Sequence, residues 1–172
     1  MIRNIVHDVI FLGRKSEAAT KDDLPVVQDL LDTLKANRMT CVGMAANMIG
    51  SLKRIIVVHT DRGDEIFINP VIEKKADPFE AEEGCLSLVG TRKTTRYRKI
   101  QVFYQDRRFR KHRQTFTGWT AQIIQHDVTT WTASSYRKDA CRTSAGRRVS
   151  HEGFCHRARS LLFFNLKSFA NH

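Results

Sequence analysis

Three short segments of this chain carry residue types that do chemistry. The first is Gly43-Met44-Ala45-Ala46, the second Glu83-Gly84-Cys85-Leu86-Ser87, and the third Gln125-His126-Asp127-Val128. The third begins like the helical metal motif H-E-x-x-H, in which two histidines four residues apart lie on one helix face and grip one ion. The second histidine belongs at position 130, and Thr130 stands there. A cysteine from a separate loop would add a soft thiolate ligand. A catalytic metal wants a few strong protein ligands and one open position for water. An acid beside the histidine would stay off the metal and shuttle a proton. Taken singly, each piece has a plainer reading. Cysteine is commonly a small buried hydrophobe, a helical histidine is more often a hydrogen-bonded core residue, and Gly-x-Ala-Ala is a close-packed turn. The order of all three, with E-G-C-L-S intact, favours the chemical reading.

In that order the segments resemble the three signature motifs of the peptide deformylases, over residues 1 to about 128. The resemblance implies an α+β fold with antiparallel strands around a central metal-site helix. It implies a metal-dependent amidase that removes the formyl group from the N-terminal formyl-methionine of nascent proteins, with Fe²⁺ or Zn²⁺ as cofactor. Its partners would be a formyl-methionyl peptide or nascent chain, and the ribosome. By the same resemblance Cys85 and His126 are metal ligands, and Asp127 stands where the family has its catalytic glutamate. Leu86 contributes a backbone oxyanion donor, and Gly43, Glu83 and Gly84 belong to the peptide-binding surface. Two ligands on one ion place the Cys85 sulfur and a His126 ring nitrogen about 3–4 Å apart.

Three departures from the family pattern bear on activity. The third ligand is missing at Thr130. The first motif usually runs G-x-G-x-A-A-x-Q, and here Cys41 replaces its first glycine and Met48 its glutamine. A thioether cannot donate a hydrogen bond, and losing one oxyanion donor costs roughly 10²–10³ in rate. An Ala-Ala-Asn-Met version also resembles a divergent subgroup of deformylase-like proteins. Finally, Asp127 sets its carboxylate one methylene short of a glutamate, which matters when proton transfer needs about 2.6–3.2 Å.

The missing histidine has an explanation in the genetic code. Residues 128 to 137 read V-T-T-W-T-A-S-S-Y-R. Regrouping their possible codons from the third base of the Val128 codon permits D-H-L-D-G-I-L-I and then a stop. The second aspartate of that string is forced, because Trp131 and Thr132 must read GG-AC across the boundary. Joined to His126-Asp127-Val128, the string completes the third motif in register. One lost base near Val128 would produce the chain as it stands, although other codon choices give other strings; on this reading residues 129–172 are expected to be an out-of-frame tail without a consistent core. From Arg137 to His172 there are eight Lys/Arg against two Asp/Glu, which supplies +6 of the net +11. On this reading the cluster His151-Glu152-Gly153-Phe154-Cys155-His156 is accidental. The basic run from Arg142 to Arg159 attracts anions by charge alone.

Length and composition fit one domain with a hydrophobic core. Four cysteines without paired spacing, no membrane-length apolar run and no signal-peptide core predict a reducing cytoplasm and no membrane partner. Ile2 to Leu12 reads as extended. Thr20 to Asp23 reads as a helix start, and Leu24, Val27, Leu30, Leu31 and Leu34 recur at helical spacing to about Asn37. Ile55-Ile56-Val57-Val58 reads as a buried strand. Glu65 to Asn69 and Val71 to Lys74 read as strands around Pro70, and Ile100 to Gln105 and Gln114 to Thr117 as a later pair. Trp119 to Val128 carries Ile123, Ile124 and Val128 on a helical period that collapses at Thr129. Two other functions compete. One is a non-catalytic relative that binds peptides, which Met48 favours. The other is a basic nucleic-acid-binding module, which predicts steep salt dependence; no specific nucleic acid is expected.

Overall fold

The computed structural model describes residues 1–85 and 88–130, with the side chains of 84–92 and 130 outside the description. Five strands form one antiparallel sheet in the order β1-β2-β3-β4-β5. They are β1 (Gly43–Ala45), β2 (Ile55–Thr60), β3 (Gly63–Cys85), β4 (Leu88–Gln105) and β5 (Lys111–Thr117). Among the described residues three α-helices accompany them: α1 (Val9–Leu12), α2 (Leu24–Ala36) and α3 (Gly118–Thr130). The architecture is α+β, as the motifs implied.

The apolar run Ile55-Ile56-Val57-Val58 is wholly buried. Continuous burial requires cover on both faces of a strand, and α2 and α3 both touch β2. Val27, Leu30 and Leu34 of α2 and Ile123 and Ile124 of α3 join Phe67, Ile100 and Val102 in one core. A 3₁₀ turn at Lys21–Asp23 leads into α2, with Asp23 accepting from the Thr20 N–H at 2.8 Å. Pro25 opens the helix where its missing N–H costs nothing.

Three expectations need revision. The stretch from Ile2 to Leu12 is not extended throughout. Asp8 caps a helical turn at Val9–Leu12 by accepting from Ile10 N–H at 2.9 Å and Phe11 N–H at 3.3 Å. The two strands expected around Pro70 are parts of one long strand, β3, interrupted by register shifts between Ile68 and Val71 and between Ile72 and Lys74. Asn69 absorbs the irregularity with φ of 52°, and a proline at such a bulge withholds no ladder bond. Lastly, α3 continues through Thr129 and Thr130. Weak helix propensity is overridden here, since Thr129 returns its hydroxyl to the His126 carbonyl at 2.8 Å.

The longest pairing is β3 with β4, running from Ile68–Gln105 out to Cys85–Leu88. This hairpin carries the second motif at its far end. β5 pairs with β4 only from Gln105 back to Lys99. At Gly118 a φ of 57° turns the chain out of β5 and into α3.

Candidate active site

The three motifs converge where α3 crosses the sheet. β1 brings Gly43, the end of β3 brings Glu83, Gly84 and Cys85, and α3 brings His126 and Asp127. A side chain at position 43 has no room, because a Cβ there would strike Asp127 Oδ2 and Ile123 Cγ2. Glycine at 43 lets the helix lie against β1 with the Asp127 carboxyl pressed to the strand.

Glu83 is 4% exposed and engaged by three protein groups. The Arg96 guanidinium donates Nε and Nη2 to its carboxylate at 2.6–3.1 Å. Gln122 Nε2 donates at 3.0 Å. His126 Nδ1 lies 2.9 Å from Glu83 Oε2. Burial works against the Glu83 charge, but the hydrogen bonds from His126 and Arg96 outweigh it and hold the carboxyl down at about 2. An ionised Glu83 accepts the Nδ1 proton of His126 whether the ring is neutral or cationic, and in the neutral ring Nε2 is the acceptor atom. This is the arrangement that orients a ligating histidine.

Asp127 is fully buried, and that burial is the main cause pushing its carboxyl up to about 7. The Glu83 charge pushes the same way, while His126 and Arg96 pull against it. Met48 is 3% exposed, and its thioether accepts the Ala45 N–H at 3.5 Å. The side chain at the family's glutamine position therefore folds back on its own turn as an acceptor.

Leu86 lies outside the described residues, as does the side chain of Cys85, so the expected sulfur–nitrogen separation falls outside them too. The tail beyond Thr130 lies outside them too. A divalent ion needs strong donors, and among the described residues no three His, Cys, Asp or Glu side chains are grouped to hold one. His126 has its Nδ1 held by Glu83, and Cys85 ends β3. One helical turn on, position 130 is threonine, whose neutral hydroxyl is not a strong ligand. Among the described side chains the expected metal site has one imidazole donor, fewer than a catalytic metal needs.

Sequence reasoning missed Arg96, Gln122 and Gln125. Signals existed for all three. Arg96 falls in phase with Ile100 and Val102, so it shares their core-facing parity along β4. Gln122, Gln125 and His126 follow the i, i+3, i+4 spacing of one helix face.

The comparisons with known proteins agree with this geometry. The family model for polypeptide deformylase matches residues 5–136. A peptide deformylase of Clostridium beijerinckii is 58% identical over 128 residues, covering 74% of this chain and 94% of that protein. A crystal structure of a peptide deformylase from Legionella pneumophila superposes with a TM-score of 0.70 at 28% identity, covering 77% of this chain and 82% of that one. A Met-Ala-Ser-bound class I type b peptide deformylase from Acinetobacter baumannii matches with a TM-score of 0.69 at 20% identity, covering 77% and 96%. The last likeness speaks for the fold alone. The chain belongs to the peptide deformylase family, metal-dependent hydrolases that release the formyl group from N-terminal formyl-methionine.

Proposed function

We propose that this chain is a peptide deformylase whose metal site lacks its third ligand, and that its deformylase activity is therefore strongly impaired as it stands. The observation that carries this reading is the buried Glu83–His126 contact, supported behind by Arg96. A buried charge pair of this kind is poor value for stability alone. It makes sense as a device that fixes one ring nitrogen. Cys85 and His126 are the ligands this chain retains for Fe²⁺ or Zn²⁺. No step is assigned through the metal, because the donors present do not complete its site.

The remaining residues have roles that do not depend on it. Asp127, with its carboxyl near 7, is suited to take and return a proton at neutral pH. The Leu86 N–H is the proposed oxyanion donor, and Met48 supplies none. β1 pairs with β2 on one side only, among the described residues. Its other edge offers backbone groups to an extended peptide, so Gly43 serves the peptide through its main chain. Glu83 serves it indirectly, through His126, and Gly84 stands beside Cys85. Substrates of this class are formyl-methionyl peptides or nascent chains. The Met-Ala-Ser in the Acinetobacter protein has the form of a deformylated product. The ribosome, where nascent chains emerge, is the natural partner. No described helix is long and apolar enough to cross a membrane; the cytoplasmic location is proposed from the family resemblance.

We attribute the missing ligand to a lost base near Val128 and residues 129–172 to the shifted frame. The test compares the chain with one in which V-D-H-L-D-G-I-L-I replaces residues 128–172, by metal content and by formate release from a formyl-Met peptide. The replacement should bind metal stoichiometrically, and Asp127→Glu added to it should recover most turnover. Equal metal content and turnover in the unmodified chain would sink the proposal.

A further inference from the structure

Gln125 is tied to β4 by both ends of its side-chain amide. Its Oε1 accepts the Tyr97 N–H at 3.0 Å, and its Nε2 donates to the Tyr97 carbonyl at 2.8 Å. The second Nε2 hydrogen goes to the Ala121 carbonyl at 2.9 Å. A side chain thus makes the paired bonds that a neighbouring strand residue would make.

The sheet explains why a stand-in is needed. β5 leaves β4 after the Lys99–Thr117 pair, because the chain turns into α3 at Gly118. Tyr97 is two residues further along β4, so its N–H and carbonyl point the same way as those of Lys99, toward the side β5 has left. Without Gln125, a partly buried donor and acceptor of Tyr97 would lose their partners. The fold uses this device elsewhere. Asn69 brackets the backbone of Ala19, accepting its N–H at 2.7 Å and donating to its carbonyl at 2.9 Å.

The neighbours of both residues give the contact its meaning. Next to Tyr97 is Arg96, which grips Glu83, and next to Gln125 is His126, which Glu83 orients. Two consecutive residues of α3 are therefore held through two consecutive residues of β4. We propose that Gln125 is a positioning residue: its amide replaces the absent β5 residue opposite Tyr97 and sets the height and rotation at which α3 presents His126. The role rests on reading His126 as the group the helix must place, but its test needs neither metal nor turnover.

The experiment uses the full ¹⁵N-labelled chain with Gln125→Met, which keeps the side chain's length and removes both hydrogen-bonding ends. Amide exchange at Tyr97 should accelerate roughly tenfold or more, while the amides of 99–105 that face β5 keep their rates. The His126 imidazole ¹⁵N signals should shift from the parent's Nδ1-protonated pattern. Gln122→Met is the control, predicted to move the His126 signals and leave Tyr97 exchange alone. If Gln125→Met does not fold, Gln125→Glu keeps the acceptor for Tyr97 N–H, loses the donor, and should give the same changes in smaller measure. Unchanged Tyr97 exchange overturns the proposal. So does uniform acceleration along β4, or faster Tyr97 exchange with unmoved His126 signals, which would make the contact merely structural.

Discussion

A single substitution, Thr130→His, should return the third ligand without touching the rest of the chain. An α-helix rises about 1.5 Å and turns about 100° per residue, so position 130 lies about 6 Å beyond His126 and within about 40° of the same side. α3 is helical through Thr130, so the backbone that would carry the ring is already in place. The magnitude follows from what a ligand contributes. Structural zinc sites bind with about 10–16 kcal/mol in total, or roughly 2.5–4 kcal/mol for each of four ligands, so one ligand is worth about 10²–10³ in affinity. Zinc or cobalt titration against a chelating indicator would compare the parent, Thr130→His, Thr130→Ala and the double variant Thr130→His with His126→Ala. The parent and Thr130→Ala should bind weakly and alike, Thr130→His about 10²–10³ tighter, and the double variant should lose that gain. Formate release should follow metal affinity. Met48→Gln by itself should rescue nothing, because an oxyanion donor cannot act around an absent metal. A Thr130→His chain that gains no affinity while His126 keeps its Nδ1 contact to Glu83 would refute the half-built site.

Other perturbations test the parts that hold His126 and Asp127. Gly43→Ala drives a methyl into Asp127 and Ile123, and should cost about 1–3 kcal/mol in urea unfolding as overpacking does. Arg96→Met strands the Glu83 charge in a buried site, for a loss of about 3–5 kcal/mol measured the same way. Removing both charges with Arg96→Met and Glu83→Gln should recover much of that loss. The pH dependence of stability tests Asp127. Its folded carboxyl is raised from the ordinary 3.8 to about 7, so the folded state holds the proton more tightly than the unfolded one. Stability from this group is present below about pH 4 and is lost as pH rises toward 7. Asp127→Asn should therefore gain on the parent over that window, as read by thermal unfolding at stepped pH. Glu83 has the opposite sign, its stabilisation present above the ordinary 4.5 and lost as pH falls toward 2.

What could be read along the chain was what depends on neighbours in sequence. The helical spacing of Leu24, Val27, Leu30, Leu31 and Leu34 marked α2, the run from Ile55 to Val58 marked a strand covered on both faces, and E-G-C-L-S and Q-H-D marked the chemistry. Threonine at position 130, in place of a second histidine, is legible in the sequence, and the proposed frameshift rests on codons that leave no trace in a fold. Tertiary structure decided the rest. Glu83 and His126 are 43 residues apart and Glu83 and Arg96 are 13 apart, so no local pattern tells a buried carboxylate that orients a ring from one that meets a peptide. Gly43 reads in the sequence as part of a close-packed turn, and the fold makes it the clearance through which α3 reaches β1. Gln125 carries no assigned role in the sequence, and in the fold its amide pairs with the Tyr97 backbone where β5 has left β4. Propensity and periodicity act within a few residues, whereas hydrogen-bond partners and the space left for a Cβ are set by which strands pair and where a helix crosses them.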